Sequence, residues 1–94
     1  MLSYLREELM ERIVPIAEKM PDVEKNKAEK LILIVEEQIS ISENSYEIPS
    51  WYANNRAIRD SVSYFKENEN GRLSLFGETM EWLLTKAAYF YTDD

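Results

Sequence analysis

The sequence predicts an all-α protein, a compact antiparallel four-helix bundle that forms a single domain over residues 1–94. Three observations favour this fold class. Apolar residues recur three and four positions apart in successive segments, which is the spacing of a helix face. Glycine occurs only at Gly71 and Gly77, whereas a chain of short strands would need more turn residues. The length of 94 residues allows one domain, and a hydrophobic fraction of 45% is enough for a core.

The first helix is expected from about Ser3, a suitable N-cap, to about Met20. Its apolar stripe consists of Leu2, Leu5, Leu9, Ile13, Ile16 and Met20. Pro15 lies inside this stripe and cannot donate a hydrogen bond to the carbonyl of Glu11. We therefore expect a kink or a short break near Pro15.

The second helix is expected over about Val23 to Ser40, with a core face of Ala28, Leu31, Ile32, Val35 and Ile39. The β-branched run from Leu31 to Val35 could also form a buried strand. Its flanks, KAEK and EEQ, contain good helix formers and favour a helix. Residues 41–50, ISENSYEIPS, are predicted to form the longest loop, because Ser, Asn and Pro cluster there.

The third helix is expected to begin near Pro49 or Ser50 and to end at 67–71, where Asn70-Gly71 is a helix-stop signal. Its core face consists of Trp51, Ile58, Val62 and Phe65. The fourth helix is expected from about Ser74 towards Tyr91. Its core face consists of Phe76, Met80, Leu83, Leu84, Ala87 and Tyr91.

The composition argues against catalysis. The chain has no histidine and no cysteine, which removes the usual general base and the commonest ligands of metals. Ser63 and Lys66 fit the S-x-x-K pattern, but they fall inside a helix without the companion motifs. The sequence also has no glycine-rich phosphate loop and no calcium loop. We expect no enzymatic activity, no catalytic residue, no metal and no cofactor.

The charge indicates which partners are compatible. Eleven basic and 18 acidic residues give a net charge of 11 − 18 = −7. Such a chain repels nucleic acid and anionic membranes, and it favours a basic protein partner. Acidic residues interrupt the N-terminal segment where a secretory signal would be apolar, so a cytoplasmic protein is expected.

A charge gap marks the strongest candidate binding region. No lysine or arginine occurs from Leu31 to Asn55, and three aromatic residues are interleaved there with four glutamates. The carboxylates could engage a partner's basic groups while the aromatic rings supply buried contact area. The ordinary alternative is that the glutamates are solvated and the rings belong to the core. The candidate partner-binding residues are Glu36, Glu37, Glu43, Tyr46, Glu47, Trp51 and Tyr52.

Two further patterns could contribute to binding. Leu75, Trp82 and Tyr89 recur every seven residues, which places a second apolar stripe on the fourth helix and a candidate second interface for a homodimer. Burial against a neighbouring helix is the ordinary alternative for this stripe. Glu7, Glu11 and Glu18 share a face of the first helix and could imitate phosphates, although a solvated face explains them as well.

The segment from Glu43 to Tyr52, ENSYEIPSWY, is similar in character to the acidic, tyrosine-bearing surface of helical bacterial immunity proteins. The size, the acidity and the expected helical bundle also resemble colicin-type and contact-dependent-inhibition immunity proteins. This resemblance implies an antitoxin that inhibits a basic toxin nuclease. The alternatives are a phage-type anti-defence protein that mimics DNA, and a helical adaptor that homodimerises.

Overall fold

A computed structural model describes residues 2–45 and 55–92, and every regular element in these two ranges is helical. This confirms the predicted all-α class. Helix α1 (Leu2–Glu8), a π-helical turn (Leu9–Ile13) and α2 (Val14–Glu18) follow one another directly and form a first rod. The other described helices are α3 (Asp22–Ser45), α4 (Arg56–Lys66) and α5 (Gly71–Thr92).

The π-helical turn ends at Ile13, two residues before Pro15. The backbone N–H of Val14 donates to the carbonyl of Leu9, five residues earlier, instead of four as in an α-helix. Pro15 then lies in the first turn of α2. The chain thus accommodates the proline by widening the preceding turn.

Helix α3 continues beyond its predicted end. Residues 41–45 are helical, so the prediction of a loop over 41–50 is wrong for its first half. The buried face runs from Val35 through Ile39 to Ser42, at spacings of four and three, and Ser42 is only 5% exposed. The side chain of Asn44 donates to the carbonyl of Ser40 at 3.0 Å. These polar residues therefore extend the helix instead of ending it.

Two asparagine caps correct the predicted helix starts. Asn55 is extended, with φ −118°, and its side chain accepts from the N–H of Ile58, so α4 begins at Arg56 instead of near Pro49 or Ser50. The side chain of Asn70 accepts from the N–H groups of Arg72 and Leu73 at 2.9 and 3.2 Å. Asn70 therefore starts α5 at Gly71, three residues before the predicted start at Ser74.

The core joins all of these helices, and the Cα radius of gyration is 12.7 Å. The rings of Phe65 and Phe76 meet edge to face at 4.7 Å between α4 and α5. Ile16 is only partly buried, and the predicted core positions Leu2, Trp51 and Tyr91 lie outside the described side chains. The predicted core residues that are buried are Leu5, Leu9, Ile13, Met20, Ala28, Leu31, Ile32, Val35, Ile39, Ile58, Val62, Phe65, Phe76, Met80, Leu83, Leu84 and Ala87.

Gly77 allows α5 to approach the end of α4. A Cβ atom at this position would lie 2.7 Å from the Cα of Lys66 and 2.8 Å from the carbonyl carbon of Phe65, and it would also collide with the backbone nitrogen of Lys66. These are backbone atoms, which cannot move aside as a side chain can. The contact between α4 and α5 therefore requires glycine.

We predict that Gly77→Ala lowers the free energy of unfolding by about 1–3 kcal/mol, because the added methyl group overpacks a backbone contact. Gly71→Ala is the matched control. A Cβ at Gly71 would meet nothing within 4 Å, and alanine restricts the unfolded chain more than glycine does. Urea denaturation of both variants provides the comparison. Equal stability of the two variants would contradict the close contact at Gly77.

Candidate functional site

The structure places part of the predicted binding region on the C-terminal half of α3. Glu37 and Glu43 are exposed there, and Glu36 is half-buried. The other four candidates, Tyr46, Glu47, Trp51 and Tyr52, lie outside the described residues. Whether these seven residues contact a partner stays a prediction.

Arg6 of α1 reaches across to this acidic surface. Its guanidinium donates to Oε1 of Glu43 at 2.6 Å and to the Ser40 hydroxyl at 3.3 Å, and it lies 3.9 Å from Oε1 of Glu36. Glu37 has no hydrogen bond or ion pair within the described residues. The stretch without lysine or arginine in the sequence is thus next to one cation in the fold, because Arg6 faces Glu36 and Glu43.

We call this arrangement the Arg6 clamp, formed by Arg6, Glu36, Ser40 and Glu43. The clamp joins Arg6 to residues that are 30 to 37 positions away in the sequence. Sequence reasoning missed Arg6, because its position on the first helix carries no signal of what it faces across the interface. Arg6 hydrogen-bonds Glu43 and lies near Glu36, so one positive and two negative charges leave the clamp net negative.

A groove lies between α2 and α3. Its volume is about 240 Å³, and it is lined by Val14, Ala17, Glu18, Glu29, Ile32 and Leu33. Ala17 and Ile32 are buried and form the floor, whereas Leu33 is 64% exposed. We call it the α2–α3 groove. Sequence reasoning also missed this feature.

A signal for the groove was present in the sequence. Residues 31–35, LILIV, are five consecutive apolar residues. Five successive residues of an α-helix point in different directions around its axis, so they cannot all face the core. At least one of these side chains must therefore point away from the core. The structure identifies it as Leu33.

The outer face of α5 carries the second predicted stripe. Leu75 is 51% exposed, and Trp82 is partly buried against the core. The guanidinium of Arg12 lies 5.5 Å from the centre of the Trp82 ring, and its Nε lies 3.1 Å from Oε2 of Glu8. An open depression of about 440 Å³ lies here, and the side chain of Tyr89 lies outside the described part. Homodimerisation through this face stays a prediction.

The remaining candidates lie at the surface. Glu7, Glu11 and Glu18 are exposed, as the sequence predicted for a solvated face. Lys66 of the S-x-x-K pattern donates to both carboxylate oxygens of Glu81 at 3.0 Å. Within residues 2–45 and 55–92, no three acidic side chains are placed to hold a metal ion.

The comparisons with known proteins give no relative. No protein-family model, curated protein or solved structure matches the chain. Among the described helices, none carries an apolar stretch long enough to cross a membrane. The function must therefore be argued from the surface features themselves.

We predict that Arg6→Gln lowers the free energy of unfolding by less than about 1 kcal/mol, because the clamp is an exposed ion pair. The loss should shrink as salt rises, since added ions screen the pair. Arg72→Gln is the control, because Arg72 is exposed and has no side-chain ion pair within the described residues. In 1 M salt, charges are screened beyond a distance of about 3 Å. If the loss of unfolding free energy persists there, the clamp does not stabilise the fold chiefly through electrostatics.

Proposed function

We propose that this protein binds a basic protein partner and neutralises it, as bacterial immunity proteins neutralise toxin nucleases. The observation that carries the proposal is the Arg6 clamp with its neighbour Glu37. Three carboxylates share this surface with one guanidinium, so it keeps negative charge while the Glu43 side chain is hydrogen-bonded to Arg6. The resemblance to acidic immunity proteins supports the same assignment.

The proposed mechanism is occlusion. The carboxylates of α3 face the lysine and arginine side chains that line a nucleic-acid cleft and block access of the nucleic acid. Tyr46, Glu47, Trp51 and Tyr52 follow α3 in the chain and extend the contact in this proposal. Because the attraction is between exposed charges, association slows as ionic strength rises.

The clamp contributes pre-organisation. A free glutamate loses rotamer freedom when a partner binds it, which opposes binding. Arg6 already restricts Glu43 through a 2.6 Å hydrogen bond. A partner that meets the clamp therefore finds at least one carboxylate in a defined position.

The scaffold in this proposal is an antiparallel four-helix bundle with its first rod kinked near Pro15. Contacts along α3 support the opposite directions of the first rod and α3: Arg6 pairs with Glu43, whereas Glu18 shares a groove with Glu29. The π-helical turn and the adjacent proline are both common causes of a kink. An immunity protein of this type acts in the bacterial cytoplasm, where its toxin would reach nucleic acid.

We predict that affinity capture from the organism that encodes this chain recovers a basic protein, and that rising salt releases it. The variant Glu37→Lys/Glu43→Lys should lose the captured protein, because it reverses the charge of the proposed surface. The recovered protein should degrade nucleic acid, and an equimolar amount of the wild-type chain should inhibit it. A gel-based nuclease assay measures this inhibition.

The matched control is Glu67→Lys/Glu69→Lys, which changes the net charge by the same amount at the α4–α5 connection. It should retain the captured protein. Equal loss with both variants would indicate a dependence on net charge alone and no defined surface. A captured protein that is acidic, or that the chain fails to inhibit, would contradict the proposed function.

A further inference from the structure

We infer that the α2–α3 groove receives the apolar ridge of a cationic amphipathic helix on the basic partner. The inference rests on the proposed function, since it names the partner's chemistry at a second, adjoining surface.

The groove offers an apolar floor and an exposed apolar wall. Ala17 and Ile32 are 1% and 7% exposed, whereas Leu33 leaves 64% of its surface in water. Covering a side chain of this size is favourable by roughly 25 cal/mol per Å² of apolar area. An engineered cavity of roughly 150 Å³ holds a benzene molecule, so the groove volume of about 240 Å³ has room for one large apolar side chain.

Two carboxylates flank this apolar surface. Glu18 and Glu29 are exposed, and neither has a hydrogen bond or ion pair within the part of the chain that is described. By contrast, Glu36 and Glu43 pair with Arg6, and Glu8 pairs with Arg12. The two groove carboxylates can thus accept from a partner's lysine or arginine side chains without sharing an internal ion pair.

The surface of α3 continues in a line from the groove. Leu33, Glu37 and Ile41 are four residues apart, which places them along one side of the helix, and all three are exposed. Apolar and acidic groups therefore alternate along a narrow stripe. A straight helix with leucine-like residues on one side and lysine or arginine beside them matches this stripe.

Charge complementarity selects this occupant over a second copy of the chain. Two copies that met at this stripe would bring Glu18, Glu29 and Glu37 against like charges, which opposes association. An anionic membrane is repelled for the same reason. A cationic helix satisfies both the apolar wall and the carboxylates.

The test uses a fluorescein-labelled peptide of leucine and lysine, about 14 residues long so that it can form an amphipathic helix. Fluorescence anisotropy should detect binding that weakens with salt. Leu33→Ser should weaken binding about tenfold, because the apolar wall is lost. Val23→Ser is the matched control, since Val23 lies on the same helix, is also 64% exposed and lies outside the groove. It should leave the affinity unchanged.

The charges are tested separately. Glu18→Gln/Glu29→Gln should weaken binding and flatten its salt dependence, whereas Glu67→Gln/Glu69→Gln should change neither. A leucine–glutamate peptide of the same length should not bind. Equal affinities for the Leu33→Ser and Val23→Ser variants, or binding of the acidic peptide, would overturn the inference.

The outcome is distinguishable from failure of the proposed function. If a basic partner is captured and inhibited by the Leu33→Ser variant as well as by the wild-type chain, the groove inference is wrong and neutralisation stands. If the cationic peptide binds in a Leu33-dependent way but the captured protein is not inhibited, the groove stands and the proposed function is wrong.

Discussion

The first rod buries one continuous apolar stripe although its residues recur every four positions. Leu5, Leu9, Ile13 and Ala17 are each at most 1% exposed. A four-residue step overshoots an α-helical turn by about 40°, so three such steps would turn the stripe well away from the core. The π-helical turn has more residues per turn and keeps the stripe on one side. Pro15, which cannot donate a hydrogen bond, lies in the first turn of the α-helical segment that follows.

The Arg6 clamp and the α2–α3 groove both depend on how the first rod lies against α3. One end of the rod supplies Arg6, which orders Glu43 and faces Glu36. The other end supplies Val14 and Glu18, which complete the α2–α3 groove. The two surfaces adjoin along α3, so one partner could contact a pre-organised acidic patch and an apolar pocket at once. Apolar contacts in the groove would then supply binding energy, and the neighbouring carboxylates would supply specificity.

The sequence predicted the helical class and nearly all core residues of the described ranges, because apolar spacing reports burial directly. It failed at polar helix ends. Asn55 and Asn70 cap the helices that follow them, and Ser42 continues the buried face of α3. Asparagine and serine also occur in loops, so their presence alone does not locate a helix end. The residues of the candidate site were harder to predict from the sequence than the core. Glu43 lies on α3 and not in the predicted loop, and Arg6 is 37 residues from Glu43, a separation at which no periodicity predicts a pair.

We propose that the first rod and α3 together form the face that binds a basic partner. Amide chemical shifts of the ¹⁵N-labelled chain, recorded with and without the captured partner, test it most directly. We expect the largest changes at Arg6 and over residues 14–18 and 29–43, with residues 75–82 of α5 nearly unchanged. Changes concentrated on residues 75–82 and absent from α3 would contradict it, and would assign binding to the face of Leu75 and Trp82.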